Sequence, residues 1–179
     1  MNVFGFTGLP WSGKSEAVKI AKQKGLAVFR MGDFVWDEVN KRKLSLNANN
    51  VGKIAQEMRE KHGNTIWAEK TVNAIKQSVQ SSDVVIDGIR SIDEIDYFRK
   101  HLSNSFRLVA IITPDELRHE RAKLRKRADD STDKIDLKNR DAREKKWGID
   151  RVINSADVVI ANQSSLESFR EKVNALFSD

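Results

Sequence analysis

Eight residues near the start of the chain limit its fold more than any others. Gly8-Leu9-Pro10-Trp11-Ser12-Gly13-Lys14-Ser15 reads G-x-x-x-x-G-K-S. An apolar stretch from Asn2 to Thr7 that reads as a strand precedes it, and a helical stretch from Lys14 to Lys24 follows. Glycines let successive backbone N–H groups turn toward one point, and the helix start adds partial positive charge, so the segment suits phosphate. In that arrangement Lys14 reaches β- and γ-phosphates, and the Ser15 hydroxyl is a ligand for Mg²⁺. A chance glycine turn capping a helix is the plain alternative; strand, motif and helix in register argue against it. Trp11 inside the loop either shields the phosphates or packs on a neighbouring element.

Further aliphatic runs, Leu26–Phe29, Asp83–Asp87, Arg107–Thr113 and Asp157–Ala161, alternate with helical stretches. The runs are continuous, not period-2, which is the pattern of parallel strands covered on both faces. Asp83-Val84-Val85-Ile86 and its near-copy Asp157-Val158-Val159-Ile160 predict two central strands. Phe34 to Gln80 reads as helical, with breaks at 46–50 and at Gly63-Asn64. Ser91 with Glu94, Thr113 with Glu116, and Ser164 with Glu167 have capping-box spacing, and Pro114 takes the first helical position of the second box. We expect one α/β domain with core segments 1–33, 81–117 and 149–179. A helical acceptor-binding insert spans 34–80, and a basic lid spans 118–148.

The net charge is +6, and between Arg118 and Arg151 there are 13 lysines and arginines against 8 acidic residues, a local surplus of five. Such a segment marks either a nucleic-acid surface or a site for a small polyanion. There is no cysteine, which excludes disulfides, thiolate zinc sites and thiol nucleophiles. The longest aliphatic run, Leu108–Ile112, is far short of the roughly 20 residues needed to cross a bilayer. No basic segment precedes an apolar stretch at the start, so we expect no secretory signal and a cytoplasmic location. His62, His101 and His119 lack metal-ligand spacing.

Three places beyond the loop carry chemistry. Asp87 ends a strand, where a carboxylate in a phosphate-loop fold holds Mg²⁺ or its water shell; an ordinary turn with Gly88 is the alternative. Arg90 falls over the same crevice at the strands' carboxyl ends, or is a surface arginine. Asp33, in Arg30-Met31-Gly32-Asp33, faces the acceptor and orients a hydroxyl proton, or caps a helix. Arg118, Arg121 and Arg125 follow i, i+3, i+7, and with Arg127, Arg140 and Arg143 they predict a lid closing over the transferring phosphoryl group. Interleaved acids such as Glu120 also fit a solvated, salt-bridged helix.

The phosphate loop, Gly32-Asp33, Asp87-Gly88-x-Arg90 and the arginine-rich lid occur in that order. In this the chain resembles the P-loop nucleotide kinases related to adenylate kinase and dephospho-CoA kinase. More closely it resembles archaeal adenylate-kinase-related proteins, whose lid reads R-x-x-R-x-x-x-R-x-R, then D-D-S, then R-D-x-x-E. Here those stretches are Arg118 to Arg127, Asp129-Asp130-Ser131, and Arg140-Asp141 with Glu144. The resemblance implies a three-layer fold on a five-stranded parallel sheet and ATP with Mg²⁺. Residues 8–15 and Arg118 would contact the nucleotide, and a nucleotide-like acceptor would lie over the 34–80 helices. It further implies that Asp33 faces the acceptor hydroxyl, as in dephospho-CoA kinases, and that Asn162 begins the adenine-binding loop; one or two of the lid arginines, for which we take Arg121 and Arg127, steady the transfer. Two positions depart from the adenylate kinase pattern. The arginine of G-D-x-x-R is Trp36 here, and D-G-x-P-R becomes Asp87-Gly88-Ile89-Arg90-Ser91. Both weaken an ordinary AMP acceptor and leave Arg59, Lys41 or Arg42 as substitutes alongside Asp87 and Arg90.

These features predict a kinase of a small nucleotide-like acceptor. An ATP-binding regulator or slow ATPase acting on RNA or a protein is the alternative. Trp147 is the only aromatic residue between Arg118 and Arg151, which is thin support for base stacking.

Overall fold

A computed structural model of the chain describes residues 1–79, 81–102, 106–124 and 134–178. Five strands form one sheet: β1 (Val3–Thr7), β2 (Ala27–Arg30), β3 (Val84–Asp87), β4 (Phe106–Ile112) and β5 (Val158–Ala161). Their order is β2-β3-β1-β4-β5, and every neighbouring pair is parallel. The helices are α1 (Lys14–Gln23), α2 (Met31–Lys41), α3 (Ala48–His62), α4 (Ile66–Ser78), α5 (Ile92–Leu102), α6 (Asp115–Leu124), α7 (Lys134–Lys146), α8 (Ile149–Asn154) and α9 (Leu166–Leu176). Both faces of the sheet are covered. Phe6, Val85, Val109 and Ile111 pack with Ala17 and Ile20 of α1 and Phe169 of α9. Val84, Ile86 and Leu108 pack on the other side with residues of α2, α4, α5 and α8. Burial on two faces accounts for the unbroken aliphatic runs. Among the described residues no helix is long and apolar enough to cross a membrane.

The helical breaks fall where the sequence predicts them. Asn47 caps α3 by accepting the Asn50 N–H at 2.9 Å, and Gly63 ends that helix at φ 93°. Other expectations change. The near-copy strands are not both central: β5 pairs only with β4, is covered by α9, and leaves Val159 55% exposed. Of the three capping boxes only the first forms. Ser91 Oγ accepts from the Glu94 N–H at 3.3 Å, and Glu94 Oε2 accepts from the Ser91 N–H at 3.2 Å. The Thr113 hydroxyl instead lies 2.8 Å from the Ser12 carbonyl and 3.1 Å from that of Asn162. The last helix starts one residue later than expected, capped by Ser165, whose hydroxyl accepts the Ser168 N–H at 3.2 Å. That start turns Phe169, Val173 and Leu176 into the core.

All strands run the same way, so the loops after β1, β2, β3 and β4 emerge along one edge. The phosphate loop follows β1, Asp33 follows β2 and Asp87 ends β3. This edge is where ligands bind in open α/β sheets.

Candidate active site

The phosphate loop is pressed against the ends of β4 and β5. A Cβ on Gly8 (φ 140°) would lie 2.3 Å from the Ile111 carbonyl oxygen, and one on Gly13 (φ 111°) would lie 2.2 Å from Asn162 Nδ2. That same Nδ2 donates to the Ser12 carbonyl at 2.9 Å. Trp11 adopts φ 61°, packs on Ala122 of α6, and carries the Arg140 guanidinium 5.2 Å from its ring centroid. It thus packs on α6 and also lines the cavity. Lys14 Nζ donates to the carbonyls of Gly8 and Leu9, the latter at 2.9 Å. Burial pulls its pKa down to about 8; Asp87 and Glu144 oppose the shift while Arg90 and Arg140 add to it.

Asp87 stands opposite Arg30 in the register of β3 and β2, its Oδ2 3.9 Å from Arg30 Nε. Its Oδ1 is buried without a hydrogen-bond partner. A hard cation or its bound water would supply that partner. Among the described residues no three carboxylates or histidines cluster as a metal cage. One carboxylate with a hydroxyl from Ser15 on the same wall suits Mg²⁺, which takes few protein ligands and relies on phosphate oxygens and water. Asp33 sits in the first turn of α2 and is no N-cap, a position held by Arg30. Its side chain is 51% exposed, beside Met31 and Gly32, which line the cavity, and its Oδ1 is 3.8 Å from Arg30 Nε. Burial raises the Asp33 carboxyl above its ordinary value; Asp87 adds to the rise and Arg30 opposes it.

The phosphate loop, Arg30, Met31, Gly32 and Asp87 border a cavity of about 470 Å³, and Asp33 is outside its lining. Arg90 pairs through Nε with Glu144 and donates from Nη1 to the Gly88 carbonyl at 2.8 Å. Burial alone would raise the Glu144 carboxyl, but Arg90, Arg140 and Lys14 together hold it below its ordinary value. Arg121 reaches the Asn162 carbonyl and Oδ1, both at 3.3 Å, and also lines the cavity. Arg59 is 8% exposed; its Nη2 meets Glu94 Oε1 at 3.0 Å, and its guanidinium lies 4.5 Å from the Trp147 ring centroid.

Two expectations are corrected here. Arg118, expected at the nucleotide, is 1% exposed and faces protein partners: the Pro10 carbonyl at 3.0 Å, Asp115 at 2.7 Å and Asp141 at 2.7 Å and 3.1 Å. It braces the phosphate loop from behind. Of the three substitutes for the missing acceptor arginine, only Arg59 lines the cavity; Arg42 is paired with Glu38 at 2.9 Å and Glu57 at 2.7 Å. Arg125 and Arg127 lie outside the described residues.

Arg30 and Trp147 are site residues without a strong local signal, and Glu144 is marked only by the R-D-x-x-E stretch. Arg30 becomes one because β3 lies beside β2. Arg140, Glu144 and Trp147 share i, i+4, i+7 spacing, the one sequence feature that places them on a common face.

A family model described as an AAA domain matches residues 7–136. A UPF0200 protein of Methanosarcina barkeri is 37% identical over 179 residues, covering 100% of this chain and 96% of that protein. The chain belongs to the UPF0200 family. A UPF0200/UPF0201 protein of Archaeoglobus fulgidus is 41% identical over 177 residues, and there the chain spans only 55% of the relative's length. Two solved structures share the fold. TT1252 from Thermus thermophilus has a TM-score of 0.65 at 16% identity, covering 99% of this chain and 96% of that one. A shikimate kinase from Bacteroides thetaiotaomicron has a TM-score of 0.60 at 12% identity, covering 98% and 96%. The UPF0200 fold is thus that of a P-loop kinase, on a five-stranded all-parallel sheet.

Proposed function

We propose that the chain is a cytoplasmic phosphotransferase that passes the γ-phosphoryl group of MgATP to a small nucleotide or nucleotide-like acceptor bound over α2, α3 and α4. One observation carries this reading: the phosphate loop, the unpartnered Asp87 oxygen and Arg30, which also reaches Asp33, all border a cavity that extends over α2 and α3. Bound as its magnesium complex, ATP supplies the phosphoryl group, and the cation answers the charge on the phosphate oxygens.

The loop N–H groups of residues 8–15 and Lys14 hold the phosphates, and Ser15 and Asp87 hold the cation. Asp33 orients the acceptor oxygen and accepts its proton. Arg90 and Arg59 lie toward the acceptor. Arg121 and Arg127 neutralise charge on the group in transit, and Asn162 borders the base. Arg118 acts through the loop that it braces. Positioning and electrostatics supply most of the acceleration, as phosphoryl transfer requires.

The test is product detection by mass spectrometry after incubation with Mg²⁺, ATP and a panel of nucleoside monophosphates, dephospho-CoA and nucleosides. One acceptor should be converted, and Lys14→Ala should abolish conversion while the fold persists. ADP release indifferent to every acceptor would overturn the kinase reading and leave an ATPase regulator. Four of the described arginines of the basic segment speak against a nucleic-acid role, because Arg118 faces the protein interior and Arg121, Arg140 and Arg143 border the cavity.

A further inference from the structure

The acceptor half of the cavity has an unusual wall. All four tryptophans of the chain, Trp11, Trp36, Trp67 and Trp147, border the cavity. Three of them carry arginines over their rings. Arg140 lies 5.2 Å from the Trp11 centroid, Arg30 lies 5.8 Å from that of Trp36, and Trp147 takes Arg59 at 4.5 Å and Arg143 at 5.8 Å. Indole faces hold guanidiniums by their quadrupole and restrict their motion. Gly52 of α3 allows the Arg143 guanidinium to lie against the helix, since a Cβ there would stand 2.5 Å from Nη1. Arg59 is fixed by Glu94 and keeps a buried Nε with no partner.

Between these arginines the surface is apolar: Met31, Val35, Val51, Ala55 and Trp67. Among the described wall residues the only neutral polar side chain, tryptophans aside, is Ser15, in the phosphate loop. The Trp67 N–H is directed to the Ala55 carbonyl at 3.4 Å, and that of Trp147 to Gln56 Oε1 at 2.7 Å. Besides the Ser15 hydroxyl, the side-chain acceptors on the wall, tryptophans aside, are the carboxylates of Asp87 and Glu144, which face Arg30 and Arg90. Guanidiniums only donate. A nucleobase edge presents donors and acceptors in a fixed order, and distinguishing one edge from another takes complementary groups of both kinds. The wall offers charge and apolar contact instead. Lys14 and six arginines line the cavity against two carboxylates.

We propose that the acceptor is an organic anion with an apolar body, a phosphate monoester or a carboxylate. Its charge is held by Arg59 and Arg143 beside Trp147, and its body is held by the apolar wall. This rests on the reading above that α2 and α3 form the acceptor side. In the transfer, the bond from γ-phosphorus to its bridging oxygen breaks and its electron pair leaves with ADP. A new P–O bond forms to the acceptor oxygen, whose proton, if it carries one, passes to Asp33. A nucleotide qualifies as one such anion, without selection among bases.

Calorimetric titrations of the full chain with phenyl phosphate, benzoate, benzyl alcohol, AMP, GMP, CMP and UMP test this. The two aromatic anions separate the phosphate and carboxylate sources, and the alcohol removes the charge. At least one anion should bind in wild type and in Lys14→Ala with affinities within about threefold. It should weaken about tenfold or more in Arg143→Gln, the loss expected for a charge-assisted contact. The four nucleotides should bind within about threefold of one another. One nucleotide preferred by more than about tenfold would overturn the inference, because a base edge would then be read. So would an alcohol that binds as well as the anions, or anion binding that disappears with Lys14. Anion binding as described with no phosphoryl transfer to any acceptor sustains the anion site at Arg59 and Arg143 and overturns the kinase reading, so that the anion is a ligand and not an acceptor. Efficient transfer to a neutral acceptor does the reverse.

Discussion

Lys14 is a cation held in a place that disfavours its charge, and its pKa of about 8 makes it a titrating group near neutral pH. Phosphate favours the charged form, so ATP binding near that pH should take up protons, measurable by calorimetry in buffers of different ionisation heat. Affinity for ATP should fall as pH climbs past about 8, where the free lysine loses its proton. The sign for stability is the opposite. The folded pKa lies below the unfolded value of 10.5, so the cost of burying the ammonium is present in full below about 8 and is relieved as pH rises toward 10.5. Asp33 shifts the other way. Its carboxyl keeps its proton above the ordinary 3.8, and the rate should rise as pH climbs through that raised value. Asp33→Asn should remove that limb and lower kcat by about 10²–10⁴-fold with ATP binding retained. Lys14, Ser15 and Asp87 are legible in the sequence because a strand and a loop fix what they face. Arg30 is not, because only the pairing of β2 with β3 sets it opposite Asp87.

At the scale of elements, the loop between β1 and α1 depends on its neighbours. Gly13→Ala would force a left-handed backbone on alanine and drive its Cβ into Asn162, so a loss of about 1–3 kcal/mol is expected, with ATP binding impaired. A thermal melt and a nucleotide titration of the same variant check both parts. α6 and α7 meet through Arg118, which is almost wholly buried between Asp115 and Asp141. Asp141→Ala would leave that guanidinium with half of its charged partners, at a cost of about 3 kcal/mol by urea unfolding. Element types and breaks were open to local reasoning because propensity, Asn47 and Gly63 agree with the packing. The box expected at Thr113 does not form, and the contact its side chain makes is non-local: the Thr113 hydroxyl donates to the carbonyl of Ser12, 101 residues away in sequence.

The whole molecule is organised by a sheet with β1 at its centre, between β3 and β4, and of the strands consecutive in sequence only β2 with β3 and β4 with β5 are neighbours. The cavity wall accordingly draws on both excursions from the sheet, α2 with α3 between β2 and β3, and α6 with α7 between β4 and β5. A ligand that touches both ties distant parts of the chain together. MgATP at about a hundredfold above its Kd should stabilise the fold by about 2.7 kcal/mol, seen as a raised melting temperature. Lys14→Ala should cancel the shift.

The placement of the four tryptophans has a practical consequence. The single tyrosine, Tyr97, stacks on His101 away from the cavity, with ring centroids 4.1 Å apart, so the indoles at the site dominate the chain's intrinsic emission. Light selectively absorbed by tryptophan is absorbed around the cavity, and its intensity and colour report the polarity and charge found there. The native protein is thus its own optical probe of occupancy, with no label and no engineered residue required.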